Sequence, residues 1–211
     1  MQSNGMESNW ASEHLQTIRT LMERTALYRR ALAPLMLGTG IIGLAAAIVP
    51  QFVAVRDNRA FALYWMAVGI TALLLTLLLV RRQALGDQEE FWSSPTRRVT
   101  GALMPPFIAG FAVAAFLVLY GQVFQSLAWV AGSVWAILYG CALNAAGFFT
   151  SRGLALFGRV LVLLGCGLLL ASPVVPGDVP DAAHYLMGTI FGLLQIAYGT
   201  YLYFTERKRT A

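Results

Sequence analysis

Six long apolar stretches, nearly free of charged residues, alternate with short charged segments along the chain. They lie at residues 34–55, 61–80, 100–120, 127–149, 154–174 and 183–204. Each is close to the roughly 20 apolar residues that a helix needs to cross a bilayer. None shows the two-residue alternation of a transmembrane β-strand. Because backbone groups in lipid must be hydrogen-bonded within the protein, the pattern predicts an all-α, polytopic membrane protein with a six-transmembrane-helix bundle.

The composition agrees with this pattern. Of the 211 residues, 58% are apolar and 12% are charged, whereas about a quarter of a soluble domain is charged. This excludes a soluble globular enzyme and a disordered chain. The segments outside the spans are too short for a separate soluble domain, which needs about 50 residues. We therefore predict a cytoplasmic tail at 1–32, a transmembrane domain at 33–205 and a short basic cytoplasmic C-terminus at 206–211.

The positive charges alternate from one side of the predicted bundle to the other. One side carries Arg19, Arg24, Arg29, Arg30, Arg81, Arg82, Arg97, Arg98, Arg152, Arg207, Lys208 and Arg209. The opposite side carries only Arg56 and Arg59. Cytoplasmic loops are enriched in Lys and Arg, so we expect both termini in the cytoplasm and a plasma membrane location, such as a bacterial inner membrane. This charge indicates anionic lipid headgroups as partners and no nucleic acid, since no DNA-binding motif accompanies it.

Two cytoplasmic segments have features of interaction elements. Residues 12–32 form an amphipathic pattern, in which Leu15, Ile18, Met22 and Ala26 share one face, and predict a helix on the membrane or against a partner. The loop between the second and third spans has an acidic cluster followed by Phe91 and Trp92. These aromatic side chains are expected at the lipid interface.

Small residues recur at every fourth position of the fourth span. They are Ala128, Gly132, Ala136 and Gly140, followed by Asn144. A stripe of small residues lets two helices approach closely in lipid. The third span has a similar stripe that includes Gly110, which predicts a tight hairpin of these two spans. Shorter versions occur in the first span (Thr39, Gly43, Ala47) and in the sixth (Gly188, Gly192).

The adjacent prolines Pro105 and Pro106 lie about one turn inside the third span. Proline lacks the amide hydrogen and clashes with the preceding turn, so we expect a kink or an unwound segment. Irregular backbone at membrane depth survives where protein covers it or where it lines a watery cavity. A structural kink is one interpretation, and a binding site at a broken helix, as in transporters, is the other.

The chain offers little for catalysis. Residues 38–43 match the pattern GxGxxG, but inside a membrane span and without the strand that a dinucleotide site requires. With only His14 and His184, a bis-histidine haem is excluded. Asp178, Asp181 and His184 favour a turn and a helix cap over a metal site, so we expect no cofactor and no metal. The cysteines Cys141 and Cys166 are expected to be buried and inert.

The charge within the spans is equally restricted. No Asp or Glu lies in a predicted span, which disfavours carriers that need an intramembrane carboxylate. Arg159 is the one charged residue there. Its side chain either extends to the cytoplasmic interface or holds a lipid phosphate or an anionic solute. Asn144 and Gln195 either line a polar cavity or hydrogen-bond between helices.

Three functions remain open. The first is a non-catalytic membrane anchor, regulator or scaffold that contacts a cytoplasmic protein partner, or further copies of itself, through the N-terminal helix and the loop between spans two and three. The second is a small solute-binding or transport protein, with Arg159, Asn144, Gln195, Pro105 and Pro106 around a ligand near the broken third span. The third, an enzyme acting on lipid, lacks a visible catalytic set.

Overall fold

A computed structural model describes residues 32–53, 55–86, 94–121, 123, 127–172 and 180–210, with the backbone alone at 94–95, 180–181 and 206–210. Five helices in these ranges are long and apolar enough to cross a membrane. They are α1 (Leu32–Gln51, ending in the 3-10 turn Val49–Gln51), α2 (Asn58–Gly86), α3 (Ser94–Tyr120), α4 (Leu127–Gly147) and α5 (Arg152–Leu170). The described residues contain no strand, so the all-helical prediction is confirmed.

The helical residues 180–210, which we name α6, are divided into three parts. The α-helical parts Pro180–Gly188 and Leu194–Thr210 flank a π-helical turn at Thr189–Leu193. The π turn was not predicted, and α6 is not among the five helices above. The predicted amphipathic helix at 12–32 lies outside the described residues apart from Leu32, and so does the centre of the loop between α2 and α3.

Helix α2 is longer than its predicted span of 61–80. The carboxylate of Asp57 accepts a hydrogen bond from the amide of Ala60 at 2.7 Å, which caps the first turn. At the other end the helix continues through Arg81 and Arg82 to Gly86. These residues leave the apolar run but have high helix propensity, so hydropathy alone places the end of the helix too early.

The turns identify one common end of the bundle. Asn58, at the start of α2, donates to the carbonyl oxygen of Gly121 at 2.8 Å and accepts from the amide of Ala128 at 3.0 Å. The side chain thereby joins the start of α2 to the end of α3 and the start of α4. We name this the Asn58 end. Since α4 runs away from it, the turn between α4 and α5 at Ser151 lies at the opposite end, which we name the Ser151 end.

Helix α4 packs most closely against α5. A Cβ atom added at Gly140 would lie 2.6 Å from the carbonyl oxygen of Gly158, and one added at Gly158 would clash with the backbone amide of Asn144. Such backbone approach is what small residues permit between helices in lipid. The sequence paired the stripe of α4 with the third span, whereas its closest backbone contacts are to α5.

Helices α1 and α6 form a second close crossing. A Cβ atom at Gly43 would overlap the carbonyl oxygen of Phe191, and one at Gly188 would overlap the side chain of Ala47. One at Gly192 would lie 2.8 Å from the amide of Leu44. The short stripes recognised separately in the first and sixth spans are therefore the two sides of one interface. The GxGxxG pattern has a packing role here, because Gly40 also contacts α6.

Helix α3 is continuous through its prolines. Residues Ser94–Tyr120 are helical throughout, with Pro105 exposed and Pro106 half-buried. The expectation of an unwound segment is therefore wrong. Membrane helices tolerate proline because the rest of the hydrogen-bonded turns persists and nearby groups satisfy the freed carbonyls. The irregular turn of the bundle lies instead in α6.

Candidate functional site

A buried histidine connects three parts of the Asn58 end. The side chain of His184, on α6, is 2% exposed. Its Nδ1 accepts a hydrogen bond from the indole Nε1–H of Trp65 at 3.0 Å. Its Nε2 lies 3.1 Å from the carbonyl oxygen of Val55. An indole nitrogen only donates and a carbonyl oxygen only accepts, so the contacts define a neutral imidazole with its hydrogen on Nε2.

Aromatic rings surround this imidazole. The centroid of the Phe61 ring lies 5.0 Å from that of His184, and the centroid of Tyr64 lies 6.0 Å away in an edge-on arrangement. Trp135 of α4 stacks on Phe61 with an interplanar angle of 9°. The hydroxyl of Tyr64 donates to the carbonyl oxygen of Ala46 at 2.6 Å. We name His184, Trp65, Phe61, Tyr64 and Trp135 the histidine cluster.

The contacts of the histidine cluster indicate a structural role. Both ring nitrogens of His184 face protein atoms, so neither is directed at a ligand. Asp178 lies outside the described residues, and of Asp181 only the backbone is described. Within the described ranges no group of three His, Cys, Asp or Glu residues is suited to hold a metal ion.

A second polar cluster joins α1, α4 and α6 away from the ends of the helices. Gln195 is 3% exposed. Its Oε1 accepts a hydrogen bond from the hydroxyl of Thr39 at 2.6 Å, and its side chain shares a hydrogen bond with the hydroxyl of Tyr139. The Thr39 hydroxyl also lies 2.8 Å from the carbonyl oxygen of Leu35. We name Thr39, Tyr139 and Gln195 the glutamine cluster.

The π turn ends two residues before Gln195. A π turn contains one more residue than an α turn and often occurs at functional positions. The Phe191 carbonyl within this turn contacts Gly43, and the Phe191 ring lies 5.4 Å from that of Tyr139. The π turn thus contacts both α1, at the close crossing of α1 and α6, and Tyr139 of the glutamine cluster. The sequence did not predict this turn, because the one extra residue of a π turn leaves no recognisable periodicity in an apolar helix.

The five residues of the predicted ligand site have different surroundings in the structure. Arg159 is exposed on the outer side of α5, whereas Gln195 is buried. Asn144 is half-buried, where its backbone meets Gly158. Pro105 and Pro106 lie within the continuous α3. Across the described chain, no hydrogen bond joins any two of these five residues.

The five predicted packing residues have separate neighbours. Gly132 faces Leu186 and Met187 of α6, Gly140 faces α5, and Ala136 is completely buried. The amide of Ala128 is bound by Asn58. The carbonyl oxygen of Gly110 accepts a hydrogen bond from the indole Nε1 of Trp135 at 3.0 Å.

The cysteines differ from expectation. Cys141 and Cys166 are exposed free thiols on α4 and α5, so the prediction that they are buried is wrong. The sequence places them within apolar spans, but a position within a span does not tell which side of the helix faces the bundle.

The fold and its buried clusters define a class of protein. Five apolar helices, packed through glycines and joined by buried hydrogen bonds, are those of a multi-pass helical membrane protein. Comparison of the chain with protein families, curated proteins and solved structures finds no match.

Proposed function

We propose that the chain is a non-catalytic membrane scaffold that crosses the membrane six times, with both termini in the cytoplasm. The sixth crossing is α6, whose residues 183–204 carry no Asp, Glu, Lys or Arg. Its start and the start of α2 both lie at the Asn58 end, through His184 and Trp65. An even number of crossings returns the C-terminal Lys and Arg residues to the side of the N-terminal ones, as the charge asymmetry requires.

One observation carries the scaffold assignment: the buried polar side chains hydrogen-bond to protein atoms within the bundle. Ser133, His184 and Gln195 are the polar residues buried among the described ones. The Ser133 hydroxyl donates to the carbonyl oxygen of Trp129 at 3.0 Å. His184 and Gln195 are bound within their clusters. A solute carrier needs polar groups that are directed at its cargo, whereas these three side chains hydrogen-bond to protein atoms.

The alternative of a solute-binding or transport protein has less support. It depended on an opened third span beside Arg159, Asn144 and Gln195, but α3 is continuous and Arg159 is on the outer surface. We therefore assign the activity to the cytoplasmic side, where residues 1–32 and the loop between α2 and α3 contact a protein partner.

Cysteine accessibility tests whether the interior is dry. Cys141 and Cys166 are first replaced by Ala, and cysteine is then introduced at Thr39 or Gln195. A carrier with an aqueous pathway exposes these positions to a membrane-impermeant maleimide, whereas a scaffold does not. Arg59→Cys, in the exposed first turn of α2, is the matched control that reacts in both cases. Labelling of Gln195→Cys at the rate of Arg59→Cys contradicts the proposal.

Deletion of residues 1–25 tests the cytoplasmic role. In membranes of the host, we expect the truncated chain to insert normally but to lose its crosslinks to the protein partner that the full chain contacts. A truncated chain with an unchanged crosslinking pattern contradicts a role for the N-terminal segment.

A further inference from the structure

Two arginines share the outward face of α5. Arg152 and Arg159 are both exposed, and Leu156 and Leu163 lie on the same face at 59% and 73% exposure. The positions 152, 156, 159 and 163 are separated by four, three and four residues, which keeps them on one side of a helix. The opposite side, with Leu154 and Leu161, is buried against the bundle.

The length of α5 fixes the depth of Arg159. Its 19 residues span about 28 Å at 1.5 Å per residue, and the hydrocarbon core is about 30 Å thick. The helix therefore cannot slide far along the membrane normal without exposing apolar turns at its other end. With Arg152 at the interface, the Cα of Arg159 lies about 10 Å deeper. An arginine at this depth must extend its guanidinium back toward the headgroups.

No protein anion is available to these arginines within the described structure. Asp57 is the one carboxylate whose side chain is described, and it caps α2 at the Asn58 end. Arg152 and Arg159 belong to the Ser151 end. Among the described side chains, Arg159 therefore has no carboxylate beside it, and anionic lipid headgroups are the counter-ions that the membrane itself supplies.

We propose that Arg152 and Arg159 bind the phosphate of one anionic phospholipid, whose acyl chain lies along Leu156 and Leu163. Guanidinium groups bind phosphate oxygens through paired N–H donors. Arg152 reaches the phosphate from the membrane interface, and Arg159 reaches it from the deeper position in the hydrocarbon. This inference rests on the proposed six-crossing topology, which places the Ser151 end in the cytoplasmic leaflet. It does not depend on the scaffold role.

Lipid-dependent stabilisation tests the site. Purified protein in detergent is supplemented with phosphatidylcholine alone or with phosphatidylglycerol, and the unfolding midpoint and bound lipid are measured by thermal scans and native mass spectrometry. We expect phosphatidylglycerol to raise the midpoint of the natural protein. Arg159→Gln should bind this lipid about tenfold more weakly, because a charge-assisted pair is lost. Arg159→Lys should retain part of the effect.

The controls separate this site from general basicity. Arg81→Gln removes the same charge from an exposed position near the end of α2 and should bind phosphatidylglycerol as the natural protein does. Arg159→Gln removes a charge from hydrocarbon depth, so its insertion becomes easier rather than harder. Arg152→Gln, at the first residue of α5, gives a second variant outside the hydrocarbon.

Three results would overturn the proposal. The first is equal phosphatidylglycerol binding by Arg159→Gln, Arg152→Gln and the natural protein. The second is an equal loss in Arg81→Gln, which indicates a diffuse basic surface. The third is the same stabilisation from inorganic phosphate or glycerol phosphate, which indicates a soluble anion. None of these results changes the labelling of Arg59→Cys, so failure of the lipid site is distinguishable from failure of the topology.

Discussion

The indole of Trp65 donates a hydrogen bond to Nδ1 of His184 over 119 residues of sequence, at 3.0 Å. This bond fixes which nitrogen of the imidazole carries the hydrogen. The other nitrogen is thereby available to donate to the carbonyl oxygen of Val55. One buried side chain thus connects α2, α6 and the segment between α1 and α2, and it gives the Asn58 end a defined geometry.

Loss of the indole donor should destabilise the bundle. In Trp65→Phe, Nδ1 of His184 stays buried without this partner, and an unsatisfied buried acceptor costs about 1–3 kcal/mol. We expect a lower unfolding midpoint in detergent, measured by the loss of helical circular dichroism. Tyr185→Phe is the matched control, because its hydroxyl accepts an exposed hydrogen bond from Gln51 at 3.0 Å. Equal midpoints for Trp65→Phe and the natural protein would refute a structural role for His184.

The glycine crossing of α1 and α6 predicts a large effect from a single methyl group. Gly43→Ala places a Cβ atom against the carbonyl oxygen of Phe191, so the helices must separate and lose contacts along the crossing. We expect the free energy of unfolding to fall by about 1–3 kcal/mol, the usual cost of overpacking. The readout is the free energy of unfolding in mixed detergent micelles.

The control for this substitution is Gly69→Ala in α2. A Cβ atom there has no other atom within 4 Å, and alanine has the higher helix propensity. Gly69→Ala should therefore leave stability unchanged or raise it slightly. If both alanine substitutions have the same effect, the α1–α6 crossing is not as close as described.

The glutamine cluster should show a modest coupling energy. Hydrogen bonds between membrane helices average about 0.6 kcal/mol in double-mutant cycles, with a maximum of about 1.7. For Thr39→Val, Gln195→Leu and the double variant, we expect a coupling in this range, measured by unfolding in mixed micelles. Additive effects of the two substitutions would mean that the contact between Thr39 and Gln195 contributes nothing to stability.

Two ends of the bundle should react differently with reagents from outside the cell. In a background without Cys141 and Cys166, Arg59→Cys should react with an impermeant maleimide in intact cells. Thr205→Cys, on α6 beyond the glutamine cluster, should react only after permeabilisation. Reaction of both in intact cells, or of Thr205→Cys alone, would contradict six crossings with cytoplasmic termini.

Much of the helical architecture could be predicted because an uncharged apolar run of about 20 residues matches the thickness of the bilayer. Residues 100–120 and 127–149 agree with α3 and α4 within a few residues at most of their ends. The partners of each helix could not be predicted in the same way. A small-residue stripe shows that a close approach occurs, but Gly140 carries no information that distinguishes α3 from α5.

The candidate sites were harder to predict for a physical reason. His184 was considered with the acidic residues near it in sequence, whereas its main partner, Trp65, lies on another helix. Pro105 and Pro106 are strong local signals, yet the hydrogen bonds of the surrounding turns keep α3 helical. The π turn in α6 packs against α1 at Gly43, and the local sequence around Thr189 does not reveal it.

The α1–α6 crossing also has a consequence for how the chain matures. Gly43 and its contact Phe191 are separated by most of the polypeptide, and ribosomes add about 5–20 residues each second. The surface of α1 that carries Gly43 is therefore made roughly 7 to 30 seconds, at that rate, before the segment of α6 that packs on it. The close contacts between α1 and α6 can form only after α6 has been synthesised, so this crossing cannot guide the insertion of the earlier helices.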